Sequence, residues 1–408
     1  MSTRASAEVG PALDWLVIGG GLHGVHVAAR LIAEGGVAAD RLRLLDPAPA
    51  LLERWRSCTA VTGMRHLRSP SVHHLDLHPF ALQRFAGKRK YRASGLFAAP
   101  YERPSLELFN AHCDEVIDRF GLGALHLRDR AAEILPGPGG VRVTTAGGAA
   151  LEAARVVLAL GASEQPSWPA WAPRGLAQVQ HIFTLGPGGW PAAPGEAVAV
   201  VGGGISAVQV ALRLRAEGQA VHLICRHDLR EHQFDSDPGW LGPRFMAGFA
   251  RERDWGRRRA LIQAARHRGS VPADLLGDLR RAVGEGLDLR RAAVEGLEPR
   301  GERLELRLQG GARLEVDRVL LATGASPQRP GGALIDGLVT AASLPCAACG
   351  YPILDAALRW HPRVHVTGPL AELELGPTAR NIAGARRAAD RLIAALRGKG
   401  ARPIGSAA

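Results

Sequence analysis

Two glycine-rich turns carry the clearest chemistry in the sequence. The first reads Gly19-Gly20-Gly21-Leu22-His23-Gly24, and the second reads Gly202-Gly203-Gly204-Ile205-Ser206-Ala207. In each, an apolar run comes before the glycines and a helical pattern follows them, which is typical of a turn that binds the pyrophosphate of a dinucleotide. The glycines permit a tight turn and a close approach of the backbone, and the start of the helix offers N–H groups to an anion. The sequence therefore predicts two dinucleotide sites.

The residue after the next strand of each unit indicates which dinucleotide binds. Asp46 follows the run RLRLL, roughly twenty residues after Gly24, where a carboxylate can accept hydrogen bonds from both hydroxyls of an adenosine ribose. The second unit has Arg226 at this point, after the run AVHLIC. No acid repels a 2′-phosphate there and a guanidinium can pair with one, so the pattern favours NADPH over NADH. The alternative is that Arg226 is one surface arginine among 48.

Two further predicted strands indicate that the same order of elements occurs twice in the chain. The runs ARVVLALGA, 154–162, and DRVLLATGA, 317–325, end in small residues, and each follows a stretch typical of a β-meander. The sequence therefore predicts an α/β fold with two Rossmann-like dinucleotide-binding domains and small β-meanders. The stretch from Arg226 to Leu287 is too long for a loop in a compact domain and predicts a helical insertion.

Composition limits the partners and the compartment. The 408 residues carry a net charge of +12, but the arginines are scattered and not interleaved with aromatic residues, so no nucleic-acid partner is expected. No apolar run is long enough for a membrane span and no secretion leader is apparent, so we expect a cytoplasmic protein with no membrane partner. The five cysteines do not make a disulfide framework. No His or carboxylate pair has the spacing and context of a metal site.

Together these motifs resemble the two-dinucleotide-binding-domain flavoproteins, most closely the NADPH-dependent flavin monooxygenases of the lysine and ornithine N-hydroxylase family. The resemblance covers nearly the whole chain. It implies FAD on the first glycine loop and NADPH on the second. It further implies that Thr323 and Gly324 lie at the NADPH site, where the chain crosses back between domains, and that Gly161 is their counterpart at the FAD site.

The resemblance also implies the activity and the domain boundaries. Such an enzyme inserts one oxygen from O2 into a small nucleophilic substrate, an amine or a sulfur compound, through a hydroperoxyflavin. Its partners are then the substrate and O2, and homo-oligomerisation stays open. The predicted domains are 1–168 for the first part of the FAD domain, 190–325 for the NADPH domain with its helical insertion near 228–287, and 326–408 for the returning part of the FAD domain.

Two segments resemble those that surround the flavin in this family. The segment 53–80 is similar to one that runs over the flavin ring, which implies FAD contacts for Trp55, Met64, Arg65 and Ser69 and substrate contacts for His66 and His73. Toward the C-terminus, a strand ends at Gly368, and Gly376, Pro377 and Thr378 open a final helix that faces the flavin. Many relatives have Gly-Asp where this chain has Gly368-Pro369.

Further substrate candidates lie outside those segments. Gln233 and Asp235 belong to the insertion, which shapes the substrate pocket in N-hydroxylases, and a solvated Arg-rich helix is expected over 251–268. His181 comes before the second unit and resembles a hinge residue that senses NADPH. The alternative for His181 is that it packs the linker between the domains.

Two other functions are compatible with the same cofactors. Cys346 and Cys349 have the C-x-x-C spacing of a redox-active pair, which would make the protein an NADPH-dependent flavin disulfide reductase. Their position after the return crossing differs from that in known reductase types. A flavin-binding electron-transfer protein without oxygen chemistry is the other alternative, because every motif above serves cofactor binding.

Overall fold

The computed structural model describes residues 13–88, 95–186 and 193–398. The strands of these residues are β1 (Leu13–Ile18), β2 (Leu42–Leu45), β3 (Phe97–Ala98), β4 (Arg103–Pro104), β5 (His126–Leu127), β6 (Ala131–Pro136), β7 (Val141–Thr145), β8 (Ala150–Leu158), β9 (Val179–His181), β10 (Ala197–Val201), β11 (Ala220–Cys225), β12 (Arg230–Glu231), β13 (Ser270–Val271), β14 (Asp288–Arg291), β15 (Val294–Arg300), β16 (Arg303–Leu308), β17 (Arg313–Val316), β18 (Arg318–Leu321), β19 (Arg359–His361) and β20 (Val364–Val366).

The α-helices of the same residues alternate with these strands. They are α1 (Leu22–Ala33), α2 (Glu53–Thr62), α3 (Ala81–Ala86), α4 (Leu106–Arg119), α5 (Ile205–Ala216), α6 (Pro243–Arg251), α7 (Trp255–Ala265), α8 (Ala273–Gly284), α9 (Gly332–Ala342), α10 (Glu372–Leu375) and α11 (Ile382–Leu396). None of the helices described is both long and apolar enough to cross a membrane.

The first sheet has the strand order of a dinucleotide-binding unit. Five parallel strands follow one another as β5-β2-β1-β8-β20, with β19 antiparallel at the outer edge. The central strand is apolar on both faces because α1 and α11 cover one side and the strands β6 and β7 with α9 cover the other, and Leu16 and Val17 are fully buried. The fifth strand, β20, comes from the C-terminal part of the chain, so the chain leaves this unit and returns to it.

The second sheet repeats this strand order. Its fifth strand comes from an earlier part of the chain, whereas that of the first sheet comes from a later part. The second sheet is parallel throughout, in the order β14-β11-β10-β18-β9, and the antiparallel ribbon β15-β16-β17 lies beside it. Because β9 (Val179–His181) comes before the first glycine of this unit, the second sheet takes up chain earlier than the predicted boundary at 190. Residue 190 itself lies outside the described residues. The α/β fold with two Rossmann-like units is confirmed.

The helical insertion is shorter than the predicted range 228–287. Helix α8 packs against α5 through Leu276 and Leu279 and leads into β14, so it is the crossover helix of the second unit's core. The insertion proper lies between β12 and β13 and contains α6 and α7. The expectation of a solvated Arg-rich helix over 251–268 is wrong, because Arg258 and Arg259 of α7 are buried at the contact with the C-terminal part of the first unit.

The C-terminal part also differs in detail from the prediction. The strand β20 ends at Val366, two residues before Gly368, and the final helix α11 begins at Ile382 and not at Gly376. A 3-10 turn at Pro377–Arg380 stands between them. Gly376 has a φ of 79°, so the chain turns sharply there, and Asn381 precedes the first residue of α11. We call residues 368–381 the closing segment and residues 376–378 the closing turn.

Candidate cofactor and substrate site

Each glycine loop lies at the carboxyl end of a parallel sheet, and each makes the same kind of tight contact with a neighbouring strand. A Cβ built on Gly19, whose φ is 115°, would lie 2.6 Å from the Ala159 carbonyl oxygen, and one on Gly202 would lie 2.4 Å from the Ala322 carbonyl oxygen. In each unit the loop therefore presses on the end of the fourth strand, which only glycine permits. The two units thus place equivalent loops at equivalent edges, as the repeated motif predicts.

The first loop leaves its backbone open to a ligand. A Cβ added at Gly21 or at Gly161 would meet no atom within 4 Å, whereas one at Gly24 would lie 1.8 Å from the Gly19 carbonyl oxygen. Helix α1 therefore packs tightly on the loop, and Leu22 and its neighbours begin the helix with no side-chain cap on its N-terminal N–H groups. Free N–H groups at an open helix start fit the pyrophosphate of a dinucleotide.

Asp46 and His23 flank this open space. One Asp46 carboxylate oxygen accepts a hydrogen bond of 2.7 Å from the Gly20 amide, which fixes the acid beside the loop at the end of β2. His23 Nδ1 lies 2.8 Å from the Thr367 hydroxyl oxygen, next to Gly368. Its Nε2 is buried without a hydrogen-bond partner among the described residues. Burial lowers the pKa of His23 to about 4, against the opposing effect of the Arg380 and Asn381 backbone, so the ring is neutral at pH 7.

The second glycine loop is covered by Gly269, the last residue of the insertion, and by His227, which lies before β12. A Cβ on Gly204 would lie 3.5 Å from the Gly269 Cα, and one on Gly203 would lie 3.0 Å from the His227 ring. Ile205 and Ser206 begin α5 directly after this loop, and α5, like α1, has no side-chain cap. Arg226 is exposed at the end of β11 with no hydrogen-bond or ion-pair partner among the described residues. It is therefore free to meet a 2′-phosphate.

The crossover strands tie the two units together beside the loops. The Thr323 hydroxyl donates a hydrogen bond of 2.5 Å to the Ser167 carbonyl oxygen, and the Ser167 amide donates one of 2.8 Å to the Gly324 carbonyl oxygen. Thr323 is thus engaged by the linker. Gly324 has a φ of 80°, which suits a glycine at this sharp return.

His181 is the last residue of β9, the edge strand of the second sheet. It is fully buried, and its Nδ1 accepts a hydrogen bond of 3.1 Å from the Phe183 amide, so the neutral ring carries its proton on Nε2. Burial lowers the pKa of His181 to about 4. Arg54 of α2 donates hydrogen bonds to the carbonyl oxygens of Ser163 and Phe183. The structure therefore places His181 in the second sheet, close to the residues that connect the two units.

Several predicted residues of the segment 53–80 have structural partners. The Trp55 indole N–H donates to Asn110 of α4 at 3.0 Å, and Trp55 and Met64 pack against the core of the first unit. Arg65 forms an exposed ion pair with Asp278 of α8. Each of the three therefore has a role in packing or in joining the units, and their contact with FAD stays a prediction.

The polar residues that follow are half-buried near the insertion. His66 Nε2 lies 3.0 Å from the Gly95 carbonyl oxygen, and burial lowers the pKa of His73 to about 4. Ser69 is half-buried. The side chain that reaches the insertion is Arg68, which donates hydrogen bonds to the carbonyl oxygens of Gln233 at 2.6 Å and His232 at 2.7 Å and to the Ser270 hydroxyl at 2.8 Å.

The insertion meets the closing segment, and one substrate candidate, Asp235, lies at that contact. An Asp235 carboxylate oxygen accepts a hydrogen bond of 3.0 Å from the Asn381 amide group at the start of α11. Gln233, two residues earlier, donates from its side chain to the Arg68 carbonyl oxygen at 3.4 Å. A Cβ on Gly376 would lie 3.0 Å from the Met246 sulfur of α6. The insertion thus meets the closing segment through Asp235 and Met246, whereas Gln233 meets Arg68.

The remaining residues of the closing turn are held by arginines that sequence reasoning missed. The Pro377 carbonyl oxygen accepts a hydrogen bond of 2.9 Å from Arg266, and the Thr378 hydroxyl accepts one of 3.1 Å from Arg387. Nothing in the sequence distinguishes these two arginines from the other 46.

Comparison with protein families assigns the chain. Residues 93–330, more than half of it, match the model described as pyridine nucleotide-disulphide oxidoreductase, and residues 16–163 match one described as FAD-NAD(P)-binding. The chain belongs to the pyridine nucleotide-disulphide oxidoreductase family. FAD and a nicotinamide nucleotide are the cofactors of these models, as the two glycine loops predict. A comparison with curated proteins gave no match.

Solved structures share the fold over nearly the full length. The cadaverine monooxygenase DfoA of Erwinia amylovora, bound to FAD, is 16% identical with a TM-score of 0.74 over 98% of this chain and 97% of its own. The ornithine N-hydroxylase KtzI of Kutzneria sp. 744, with reduced FAD, NADP+ and L-ornithine, is 16% identical with a TM-score of 0.75 over 95% and 100%. The bacillithiol disulfide reductase of Bacillus cereus is 16% identical, with a TM-score of 0.61 over 95% and 100%. The resemblance to the N-hydroxylases is confirmed for the fold.

The cysteine pair lies outside the part of the chain that matches the family model, which ends at residue 330. Cys346 is half-buried beside Pro352, and Cys349 is exposed. Burial raises the pKa of the Cys346 thiol, whereas a redox-active cysteine needs a stabilised thiolate. The surroundings of Cys346 therefore do not favour electron relay.

Proposed function

We propose that the protein is a FAD-dependent, NADPH-using monooxygenase of the cytoplasm. It transfers one oxygen atom from O2 to a small nucleophilic substrate, and we favour an amine over a sulfur compound as that substrate. The observation that carries the proposal is the junction of the insertion with the closing segment. It adds a candidate substrate site to a scaffold with two dinucleotide loops, and the amine monooxygenases share that scaffold over nearly the full length.

The chain's own residues would divide the work of binding. Gly21 and the start of α1 would hold the FAD pyrophosphate, Asp46 would accept the ribose hydroxyls, and Arg226 would pair with the 2′-phosphate of NADPH. When bound, reduced FAD supplies the activation of O2, and the protein supplies orientation and a water-excluded site. No general base is then required from the chain, which agrees with the lack of any catalytic triad in its motifs.

The junction would orient the substrate. The Asp235 carboxylate is half-buried and uses one oxygen to accept from Asn381, so its other oxygen is available to an ammonium group. Met246 of α6 and Trp240 close over Gly376, which removes water from that side. Exclusion of water by these residues would favour oxygen transfer to the substrate over loss of the oxygen as peroxide.

The test is a screen of amines and thiols with purified protein. We expect FAD to bind, NADPH to reduce it faster than NADH, and a small amine to raise NADPH consumption with formation of a hydroxylamine. Asp235→Asn should weaken the stimulation by the amine while leaving the reduction of FAD by NADPH intact. NADPH oxidation that yields only peroxide with every amine and thiol would refute the oxygen transfer.

A further inference from the structure

Each glycine loop begins with the same backbone hydrogen bond to the neighbouring strand. The Gly19 amide donates to the Leu45 carbonyl oxygen at the end of β2, and the Gly202 amide donates to the Ile224 carbonyl oxygen of β11, both at 2.9 Å. The parallel pairing of the strands has the same register in both units. Leu45 and Ile224 therefore hold equivalent positions in the two units.

The residue that follows this position differs in its chemistry between the units. In the first unit it is Asp46, whose carboxylate accepts a hydrogen bond of 2.7 Å from the Gly20 amide and can accept from ribose hydroxyls. In the second unit it is Cys225, which is buried and whose thiol donates to the Arg290 carbonyl oxygen of β14 at 3.8 Å. The register therefore places Cys225, and not Arg226, at the position of the acid, with its thiol directed to β14.

The ring of His227 occupies the space that the carboxylate takes in the first unit. A Cβ built on Gly20 would lie 3.2 Å from the carboxyl carbon of Asp46. One built on Gly203, the equivalent glycine, would lie 3.0 Å from the His227 Cε1 atom and 3.4 Å from its Nε2 atom. The side chain that covers the middle glycine is thus a carboxylate in one unit and an imidazole in the other.

Two contacts determine which ring nitrogen of His227 can meet a ligand. Nδ1 lies 2.9 Å from the Asp228 carbonyl oxygen, which can only accept, so Nδ1 carries a proton. Nε2 has no hydrogen-bond partner among the described residues. A Cβ built on Gly269 would lie 3.1 Å from Nε2, so the ring is held between Gly203 and the last residue of the insertion. An imidazole in this place offers Nε2 to a ligand, and as an imidazolium it donates an N–H to an anion.

We propose that His227, together with Arg226, determines the specificity of the second unit for the 2′-phosphate of NADPH. The imidazolium supplies a donor at the place of the acid, and the exposed Arg226 beside it in the chain supplies a second cation. The ribose of NADH meets an imidazole there in place of a carboxylate that accepts from both hydroxyls. The inference rests on the NADPH assignment of the proposed function and not on the transfer of oxygen.

The test compares His227→Asp with His232→Asp. The first variant puts a carboxylate over Gly203, as the first unit has over its own middle glycine. His232 is exposed and stacks on His267 with ring centroids 3.8 Å apart, and none of its atoms is among the nearest neighbours of the glycine loop. The control therefore makes the same change of residue a little further along the chain. His227→Asn, which keeps a polar side chain that cannot become positively charged, is the second test variant and decides the question if His227→Asp does not fold.

The measurement is the Kd of NADP+ and of NAD+, by calorimetric titration of the flavin-loaded protein. The two nucleotides differ only in the 2′-phosphate, so a loosened fold weakens both alike. We expect His227→Asp to raise the Kd of NADP+ about 100-fold, because it removes a charge-assisted bond and adds repulsion. The Kd of NAD+ should stay unchanged or fall. His227→Asn should raise the Kd of NADP+ about tenfold and leave that of NAD+ unchanged, and His232→Asp should keep the wild-type ratio.

The outcomes separate the role of His227 from the proposed function. An unchanged ratio of the two Kd values in both His227 variants, or an equal change of the ratio in His232→Asp, overturns the role of His227 and leaves the proposed function standing. The expected change of the ratio in a protein that transfers no oxygen supports the role of His227, while the proposed function fails. A wild type that binds neither nucleotide, or that binds NAD+ more tightly than NADP+, overturns both.

Discussion

Replacing Gly21 by alanine tests the contact between the first glycine loop and FAD without disturbing the fold. Gly21 has a φ of −79° and a ψ of −171°, a conformation that any residue adopts, and the added Cβ would meet no protein atom within 4 Å. We therefore expect the Tm to be unchanged or slightly raised, because alanine reduces the entropy of the unfolded chain and contributes about 0.4–1 kcal/mol where the backbone is compatible.

Binding of FAD should respond in the opposite direction. The new methyl group occupies the space through which the pyrophosphate reaches the N–H groups at the start of α1. Loss of one hydrogen bond to a charged group costs about 1.5–3 kcal/mol, which corresponds to a rise in Kd of roughly 10- to 150-fold. The assay is titration of the apoprotein with FAD, followed by the change in flavin fluorescence, with the Tm measured on the same preparation.

Two further glycine variants serve as controls. Gly204→Ala makes the same change in the second loop, where the Cβ would have an ordinary contact of 3.5 Å with Gly269, and should weaken NADPH while leaving FAD unaffected. Gly24→Ala should lower the Tm sharply, because its Cβ would overlap the Gly19 carbonyl oxygen. A Gly21→Ala protein with the wild-type Kd for FAD would refute the assignment of the first loop.

Three other predictions concern the nucleotide, the thiols and pH. Arg226→Ala should lower the NADPH to NADH ratio of kcat/KM about tenfold or more through the loss of a charge-assisted bond to the 2′-phosphate; an unchanged ratio would make Arg226 a surface charge. The double variant Cys346→Ser, Cys349→Ser should keep NADPH oxidation, and loss of turnover together with disulfide reduction by the wild type would instead indicate a reductase. Burial lowers the pKa of His26 to about 3 and that of His181 to about 4, from 6.5, so the unfolded chain binds more protons in that interval. The contribution of these two rings to the free energy of unfolding should therefore be complete above pH 6.5 and should fall as the pH drops toward 4, as urea titrations will show. A free energy of unfolding that does not fall in this interval would contradict the buried, neutral state of both rings.

Local motifs made the two dinucleotide loops predictable. The motif specifies a strand, a turn and a helix start that are adjacent in the sequence, although Gly19 and Gly202 make their tight contacts with Ala159 and Ala322 on a strand far along the chain. The closing turn shows the limit of such rules. A glycine followed by a proline is typical of a helix start, but the positive φ of Gly376 directs the chain into a 3-10 turn, and α11 begins only after Asn381.

The junction could not be predicted, because its features are tertiary. Arg266 and Arg387 differ from other arginines only in what surrounds them, and the sequence contains 48. Trp55 has an aromatic ring suited to a flavin, yet its indole N–H donates to Asn110, a partner 55 residues away. The extent of the insertion was also hidden, because β12 and β13 have two residues each and leave almost no pattern in the sequence.

Because those two short strands pair, the insertion between them can be exchanged as one segment. Arg230 pairs with Ser270 and Glu231 with Val271, so the chain leaves the second unit and comes back at one point. Because the ends of the excursion are already fixed side by side, changing the length between them costs little loop-closure entropy and does not alter the register of the second sheet. Asp235 and Arg266 both lie within the excursion, whereas Arg226 lies outside it. Under the proposed function, the residues for substrate preference would therefore be replaced as a unit, by evolution or by grafting, while those for NADPH would stay with the scaffold.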